Sequence, residues 1–336
     1  MGRLWRLCLM AFASVGPGSG FRGPHTQRSR AWIARLHSSR TPYYRMRSRS
    51  HGAAHNVSVL EAADWTPPGN ELRIIATSDT HGFEKNLQVP PGDVLIHCGD
   101  FSPDRNTKRG VEAFENWIRA QPHAWKIICV GNHDSRRERN IAPNVLYATR
   151  CQIVTIAGVR FSLAPFSRSK NGPKGLSPGD VVISHVPPFG ILDTMYKGKH
   201  IGDSSLHLAV SKWQHPPSLW LCGHVHEAFG AAEVVLGTQH AWSKVAQKPK
   251  HHRQRRKPRE ASELDEEGQV SGERVEPGEQ NPVPKRRPTT LCMNVAGAND
   301  GRATRLHDQR QPQVILVDMD SKVPVMVQEQ QPESAF

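Results

Sequence analysis

The chain of 336 residues contains no apolar run that is long enough to cross a membrane. Its N-terminal run of apolar or small residues, 7–15, has only about half the required length. Cysteine is also sparse. The six cysteines form no Cys-x-x-Cys pair, which argues against a disulfide framework or a cysteine zinc site and predicts small buried thiols in a reducing compartment. Hydrophobic residues make up only 37% of the chain, which predicts substantial unfolded segments.

Acidic residues are absent from the first 60 positions, which contain ten arginines. A second biased segment, residues 244–287, carries a net charge of +4. The whole chain has a net charge of +13, a value that would ordinarily point to nucleic acid or a membrane surface as partner. Without the two biased segments the net charge is −1, so nucleic acid is not expected as a partner of the core.

Residues 1–70 are predicted to be a disordered basic extension. Their Arg- and Ser-rich composition is typical of a mitochondrial or chloroplast transit peptide, and we therefore expect a mitochondrial or chloroplast location. A secretory signal would explain only roughly the first twenty residues. A basic tail on a cytoplasmic protein is the remaining alternative.

Short apolar runs bounded by turn-forming residues begin near residue 71 and predict buried strands. Val111, Phe114 and Ile118 recur at helical spacing between the second and third run, so a helix is expected there. A hairpin is predicted to turn at Ala157-Gly158. This alternation indicates an α/β sandwich. The runs are residues 72–77, 94–98, 126–130, 181–184 and 219–222, followed by 291–295 and 314–317.

The pattern divides the chain into a folded domain with an interruption. Its first part is predicted to span residues 71–243, and its C-terminal strands residues 288–325. The charged segment 244–287, which has almost nothing to bury, is predicted to be a disordered insertion, and residues 326–336 a tail.

Polar clusters follow the predicted strands, and the carboxyl ends of strands in such folds converge on one edge. The clusters combine imidazole with carboxylate, which suits Zn, Fe or Mn and contains too much nitrogen for a Mg or Ca cage. Singly, each residue has an ordinary explanation, such as a cap, a turn or a hydrogen-bonded loop histidine. The clustered residues are Asp79, His81, Asp100, Asn132, His133, Asp134, His185, His224 and His226.

The ordered motifs Asp-x-His, Gly-Asp, Gly-Asn-His-Asp, a lone His and Gly-His-x-His resemble those of the calcineurin-like metallophosphoesterases, over residues 71–243 and 288–320. Residues 184–193 and 223–230 are similar to the metallophosphoesterase-domain-containing proteins of the 239AB type. The resemblance implies a four-layer α/β/β/α sandwich with mixed sheets. It also implies a metal-dependent phosphoesterase with two divalent or trivalent ions, Mn, Fe or Zn.

The resemblance also assigns roles to the clustered residues. It implies that Asp79, His81 and His226 hold one metal and that Asn132, His185 and His224 hold the other. Asp100 would bridge the two ions, and a hydroxide held between them would attack phosphorus. His133 would protonate the leaving oxygen, and Asp134 would orient His133.

The expected substrate is a phosphodiester or a small nucleotide-type phosphoester. Two other functions remain open from the sequence. The chain is alternatively a nucleotide-binding regulatory protein with weak catalysis, or an RNA-associated scaffold that acts through its basic segments. The sequence predicts no transmembrane segment and does not indicate an oligomeric state.

Overall fold

The computed structural model describes residues 44–47, 59–62, 65–103, 107–168, 173–236, 288–298 and 309–327. The strands within these ranges are β1 Tyr44–Arg47, β2 Val59–Ala62, β3 Glu71–Thr77, β4 Val94–His97, β5 Trp125–Cys129, β6 Val145–Ala148, β7 Gln152–Ile156, β8 Val159–Ala164, β9 Val181–Ser184, β10 Leu219–Cys222, β11 Gly230–Val234, β12 Thr290–Asn294, β13 Gln313–Asp318 and β14 Pro324–Val327. The helices are α1 Lys108–Ala120 and α2 Ser204–Ser211, with short 3₁₀ turns at Glu84–Asn86 and His226–Ala228.

These strands form two mixed sheets. One has eight strands in the order β1-β2-β7-β8-β9-β10-β12-β11, and the other has six in the order β14-β13-β3-β4-β5-β6. Strands β3, β4, β5 and β6 are mutually parallel, as are β8, β9, β10 and β12. The loops that follow these parallel strands therefore leave each sheet at its carboxyl edge.

Alternating side chains of the buried strands face opposite layers. On β3, Ile74 packs in the core between the sheets, while Ile75 packs against Phe114 of α1 on the outer face. On the eight-stranded sheet, Trp220 of β10 packs in the same way against Leu206 of α2. Helix, sheet, sheet and helix are thus stacked, and the predicted α/β sandwich is confirmed.

Each predicted apolar run forms a strand, and the predicted helix and the hairpin at Ala157-Gly158 are also confirmed. The two late runs lie in different sheets, since β12 joins the eight-stranded sheet and β13 the six-stranded one. The short strands β6, β11 and β14 were not predicted. All of these lie at sheet edges.

The predicted domain limits differ from the structure at two places. Strands β1 and β2 lie before residue 71 and extend the eight-stranded sheet, β2 pairing in parallel with β7. Strand β14 continues to Val327, past the predicted limit at residue 325. Of the predicted basic extension 1–70, which was expected to be disordered, residues 44–47, 59–62 and 65–70 are described, and two of these ranges form strands, so the prediction of disorder is wrong for them. The charged insertion 244–287 lies outside the described residues. Within the described residues, no helix has both the length and the apolar character that a membrane span requires.

Candidate metal centre

The loops after the parallel strands meet at one edge and bring all of the predicted site residues together. The Asp79 loop lies beside the Asp100 loop, since the N–H groups of Asp79 and His81 donate to the carbonyls of Gly99 and Asp100 at 2.8 and 3.0 Å. The loop after β10 is joined to the loop after β9 by a bond of 2.9 Å from Gly223 N–H to the His185 carbonyl. The side chains of these loops form two clusters.

The first ligand group consists of Asp79, His81 and His226, whose donor atoms all lie within 4.8 Å of one another. The Nε2 atom of His226 is 3.2 Å from Asp79 Oδ1 and 3.4 Å from the Nε2 atom of His81. Burial opposes ionisation of Asp79, but the hydrogen bond and charge of His226 hold the pKa of this carboxyl below its usual range. Burial lowers the pKa of His81, which favours the neutral imidazole that a metal ion needs.

The second ligand group consists of Asp100, His185 and His224, again with donor atoms within 4.8 Å. His185 Nε2 lies 3.3 Å from Asp100 Oδ2 and 2.8 Å from Asn132 Oδ1, so Asn132 belongs to this group. Burial opposes protonation of His185, but the Asp100 charge raises its pKa to about 9. Burial and the His185 charge lower the pKa of His224 to about 4.

Asp100 influences both groups. It contacts His185 directly. Its negative charge also acts on His81 and His226 in the first group, where it favours the protonated imidazole and so opposes the effect of burial on the pKa of each ring. The second Asp100 oxygen accepts a bond of 2.8 Å from the His133 N–H. This position suits the bridging role that the resemblance implies.

Several site residues adopt strained backbone conformations. Asp79, His81, Asp100 and His224 have φ angles of 55°, 46°, 54° and 68°, in the left-handed region that side chains with a Cβ rarely adopt. Each such residue costs of order 1–3 kcal/mol, and such strain clusters at functional sites. The strain therefore supports the choice of these residues independently of their chemistry.

Two glycines leave the space that the carboxylates occupy. A Cβ atom on Gly223 would lie 2.2 Å from Asp79 Oδ2, and one on Gly131 would lie 2.1 Å from Asp100 Oδ1. Neither position accepts a larger residue without displacing a carboxylate. The Gly-His-x-His and Gly-Asn-His-Asp motifs thus need their glycines for close approach.

The two groups fit metal ions by their donor chemistry. Imidazole nitrogens with one or two carboxylate or amide oxygens match Zn, Fe or Mn. His185 Nδ1 donates to the Cys98 carbonyl at 2.9 Å, which orients the ring so that Nε2 faces the other donor atoms of the second group. The Nδ1 atoms of His81 and His226 are buried and have no hydrogen-bond partner among the described residues.

Residues 72–228 match the sequence model of the calcineurin-like phosphoesterases. This part of the chain, slightly less than half of it, is similar to the calcineurin-like phosphoesterase domain. The predicted resemblance is confirmed, and the residues that carry it form the two ligand groups.

Several known proteins are similar to about half of this chain. A UPF0046 protein of Caenorhabditis elegans is 33% identical over 193 residues, which cover 47% of this chain and 65% of that protein. Human metallophosphoesterase domain-containing protein 1 is 28% identical over 208 residues, 49% of this chain and 63% of that protein. A probable rhamnogalacturonate lyase C of Emericella nidulans is 29% identical over 198 residues, 49% of this chain and 18% of that protein. The chain thus spans less than two thirds of the length of each relative.

His133, the predicted proton donor, lies beside both ligand groups. Its ring is 5.2 Å from the ring of His81, and its Nε2 atom is 3.9 Å from Asp100 Oδ2. With 37% of its side chain exposed, His133 is open to a molecule arriving from solvent. A half-exposed imidazole at this place can transfer a proton to a bound phosphoester.

Asp134 contacts backbone groups of three neighbouring residues. One of its oxygens accepts the N–H groups of Asp100 and Gly131 at 2.7 and 2.9 Å, and the other accepts the Ser102 N–H at 3.0 Å. Burial raises the pKa of this carboxyl to about 6. These contacts assign Asp134 to holding the Asp100 loop, and its predicted orientation of His133 stays a prediction.

Some residues at the site were not predicted. Arg310 Nη1 donates to the carbonyls of His226, Ala296 and Ala298 at 2.9, 3.1 and 2.7 Å. The ring of Phe166 lies 6.2 Å from that of His185, on the side of the second group. The family match ends at residue 228, so Arg310 lies beyond it. Arg310 lies 84 positions from His226 along the chain and does not directly follow a predicted strand, so only the fold reveals its contact with the first group.

Proposed function

We propose that the protein is a dinuclear-metal phosphoesterase that hydrolyses a phosphodiester or a small nucleotide-type phosphoester. The observation that carries this proposal is the pair of ligand groups with Asp100 lying at the second and acting electrostatically on the first. Two cations in such groups would supply an activated water and would neutralise charge on the phosphate. Mn, Fe and Zn are the ions that the donor set favours.

The residues of the chain would do the rest. Asp79, His81 and His226 would hold the first metal ion. Asn132, His185 and His224 would hold the second, and Asp100 would be shared between the two ions. His133, which is open to solvent, would give a proton to the leaving oxygen. No Ser or Cys nucleophile is required, and the buried cysteines near the site, Cys98, Cys129 and Cys222, have pKa values raised by burial, which keeps them unreactive.

The proposal is tested on the full-length chain after removal of metals. Hydrolysis of an aryl phosphodiester and of an aryl phosphomonoester would be measured with added Mn, Zn or Fe. We expect activity only with a cation, and we expect Asp100→Asn to abolish it because a neutral amide is a poor bridge between two cations. An Asp100→Asn variant that kept full activity and metal content would overturn the mechanism.

A further inference from the structure

His97, the last residue of β4, is completely buried beneath the ligand groups. Its Nδ1 atom accepts the N–H of Gly99 at 3.2 Å, so its proton lies on Nε2. Nε2 therefore donates to Thr80 Oγ1 at 3.1 Å. Burial lowers the pKa of His97 to about 3, which keeps the ring neutral at physiological pH.

Both hydrogen bonds of His97 reach loops that carry ligands. Thr80 lies between Asp79 and His81, the two residues of the first group with positive φ angles. Gly99 directly precedes Asp100. One rigid ring thus joins the two neighbouring loops at the base of the site.

The ring of His97 is itself fixed by the core. It packs edge-on against Phe101 at 6.1 Å and against Phe114 of α1 at 5.2 Å. An imidazole in these apolar surroundings loses its hydration, which costs free energy unless each nitrogen is hydrogen-bonded. A phenyl ring would fill a similar space at no such cost, so the polar ring is explained by the loops it joins.

We propose that His97 is a positioning residue for the first ligand group, acting through its hydrogen bond to Thr80. The strained Asp79-Thr80-His81 turn needs partners that over-determine its conformation, and His97 supplies one from the rigid core. Partners of this kind typically change metal affinity by about 10- to 100-fold. This inference rests on the metal-binding part of the proposed function.

The test measures Mn²⁺ binding to the metal-stripped full-length chain by equilibrium dialysis, in His97→Phe, in Thr80→Val and in the double variant. In Thr80→Val, which removes only the bond to the first loop, we expect the affinity for one of the two ions to fall by about 10- to 100-fold and the affinity for the other to stay unchanged. His97→Phe should lower the affinity for the same ion at least as much. His226→Ala identifies the ion of the first group. The double variant should bind Mn²⁺ no more weakly than His97→Phe alone, because His97→Phe has already lost the bond to Thr80. Thr80→Ser keeps the oxygen and should restore the wild-type affinity.

His123 provides a matched control. It is also a buried histidine, 2% exposed, with a pKa lowered by burial to about 4, but it donates to the Pro90 carbonyl, at the edge of the sheet away from the site. His123→Phe should lower the unfolding midpoint and leave both ions bound. If His97→Phe does not fold, the Mn²⁺ affinities of Thr80→Val test the inference alone.

Two results with Thr80→Val would overturn the inference while the proposed function stands. One is wild-type affinity for both ions, and the other is an equal loss of affinity for both ions. A wild-type chain that binds no Mn²⁺, Zn²⁺ or Fe²⁺ would instead overturn the proposed function and this inference together.

Discussion

Two buried aspartates at opposite ends of neighbouring parallel strands differ in their electrostatics. Asp79 follows β3 at the site edge, and Asp93 precedes β4 at the other edge. Both are at most 1% exposed. Burial opposes ionisation of Asp79, yet its bonds with His226 hold its pKa below the usual range. For Asp93, burial raises the pKa to about 7, and the bond that its Oδ2 atom accepts from the Arg73 N–H only partly opposes this.

The difference between these carboxylates lies in their neighbours, because their depth is the same. Asp79 accepts the His224 N–H at 2.9 Å and faces the His226 ring. The Oδ1 atom of Asp93 has no hydrogen-bond partner among the described residues. Burial alone would leave a carboxyl neutral near pH 7, so an ionised carboxylate at this depth requires donors and cations built around it. Asp79 has such donors and imidazoles at the edge where the ligand groups lie, whereas Asp134 at the same edge accepts only backbone N–H groups, and burial raises its pKa to about 6.

The largest expected effect comes from exchanging each aspartate for its amide. Asp79→Asn removes a ligand of the first group, and we expect hydrolysis of an aryl phosphodiester to fall by at least about 100-fold, the upper range for residues that only support ligands. Asp93→Asn should change the rate by no more than about twofold, since its side chain is far from the ligand groups. Steady-state kinetics with saturating Mn²⁺ would show this. Similar losses in both variants would break the comparison.

Asp134 provides an intermediate case, a buried carboxylate at the site edge that accepts only backbone N–H groups. In Asp134→Asn one of these three bonds is replaced by a repulsive contact of two donors. We expect a loss of about 10- to 100-fold in kcat/KM and of about 1–3 kcal/mol in the free energy of unfolding. Kinetics and urea unfolding would be measured on the same preparation. If the loss fell on kcat alone, with unchanged stability and an altered pH profile, orientation of His133 would be the better explanation.

Arg310 tests how far the support of the first group extends. Arg310→Met keeps the apolar stem but removes the charged bonds to the carbonyls of His226, Ala296 and Ala298. We expect the affinity for the ion bound by His226 to fall by about tenfold, with the other ion unaffected. Equilibrium dialysis with Mn²⁺ measures both. Because Arg310→Lys keeps a charged nitrogen donor but not the planar, more extended guanidinium that places Nη1 on the three carbonyls, it should recover only part of the affinity. Full wild-type affinity in Arg310→Met would limit the support to the loops themselves.

The sequence predicted the buried parts of this fold better than its edges. A strand covered on both faces is apolar at every position, as in Val94-Leu95-Ile96 of β4, and such a run is recognisable alone. Strand β11 begins Gly230-Ala231-Ala232, a sequence with little strand preference, and it forms by pairing with β12. Tertiary pairing, which the local pattern does not contain, therefore decides the edges.

The site follows the same division. The meeting of the candidate ligand residues at one edge was predictable, because each follows a recognisable strand and because their order is characteristic of a family. His97 and Arg310 were not recognised as part of the site, since their roles depend on partners distant in the chain, such as Thr80 and His226, 17 and 84 positions away. The direction in which Asp134 points is fixed by the turn that brings Gly131 and Asp100 to it, and no spacing rule contains that turn.

The smallest effect on activity and the clearest effect of pH are expected at Asp93. Its carboxyl ionises near 3.8 in the unfolded chain and near pH 7 in the folded protein. Between these values the folded state holds the extra proton, so the free energy of unfolding falls as pH rises from about 4 to about 7 and stays low above that.

Asp93→Asn cannot ionise, and we expect it to be more stable than the wild type at about pH 8 by roughly 2–4 kcal/mol, with little difference at about pH 4.5. Urea unfolding of the metal-free chain at the two pH values measures this, and because the two proteins differ only at position 93, the difference isolates Asp93. Parallel pH dependences in the two proteins would mean that Asp93 is ionised when buried, like Asp79, and the contrast between the two edges would then fail.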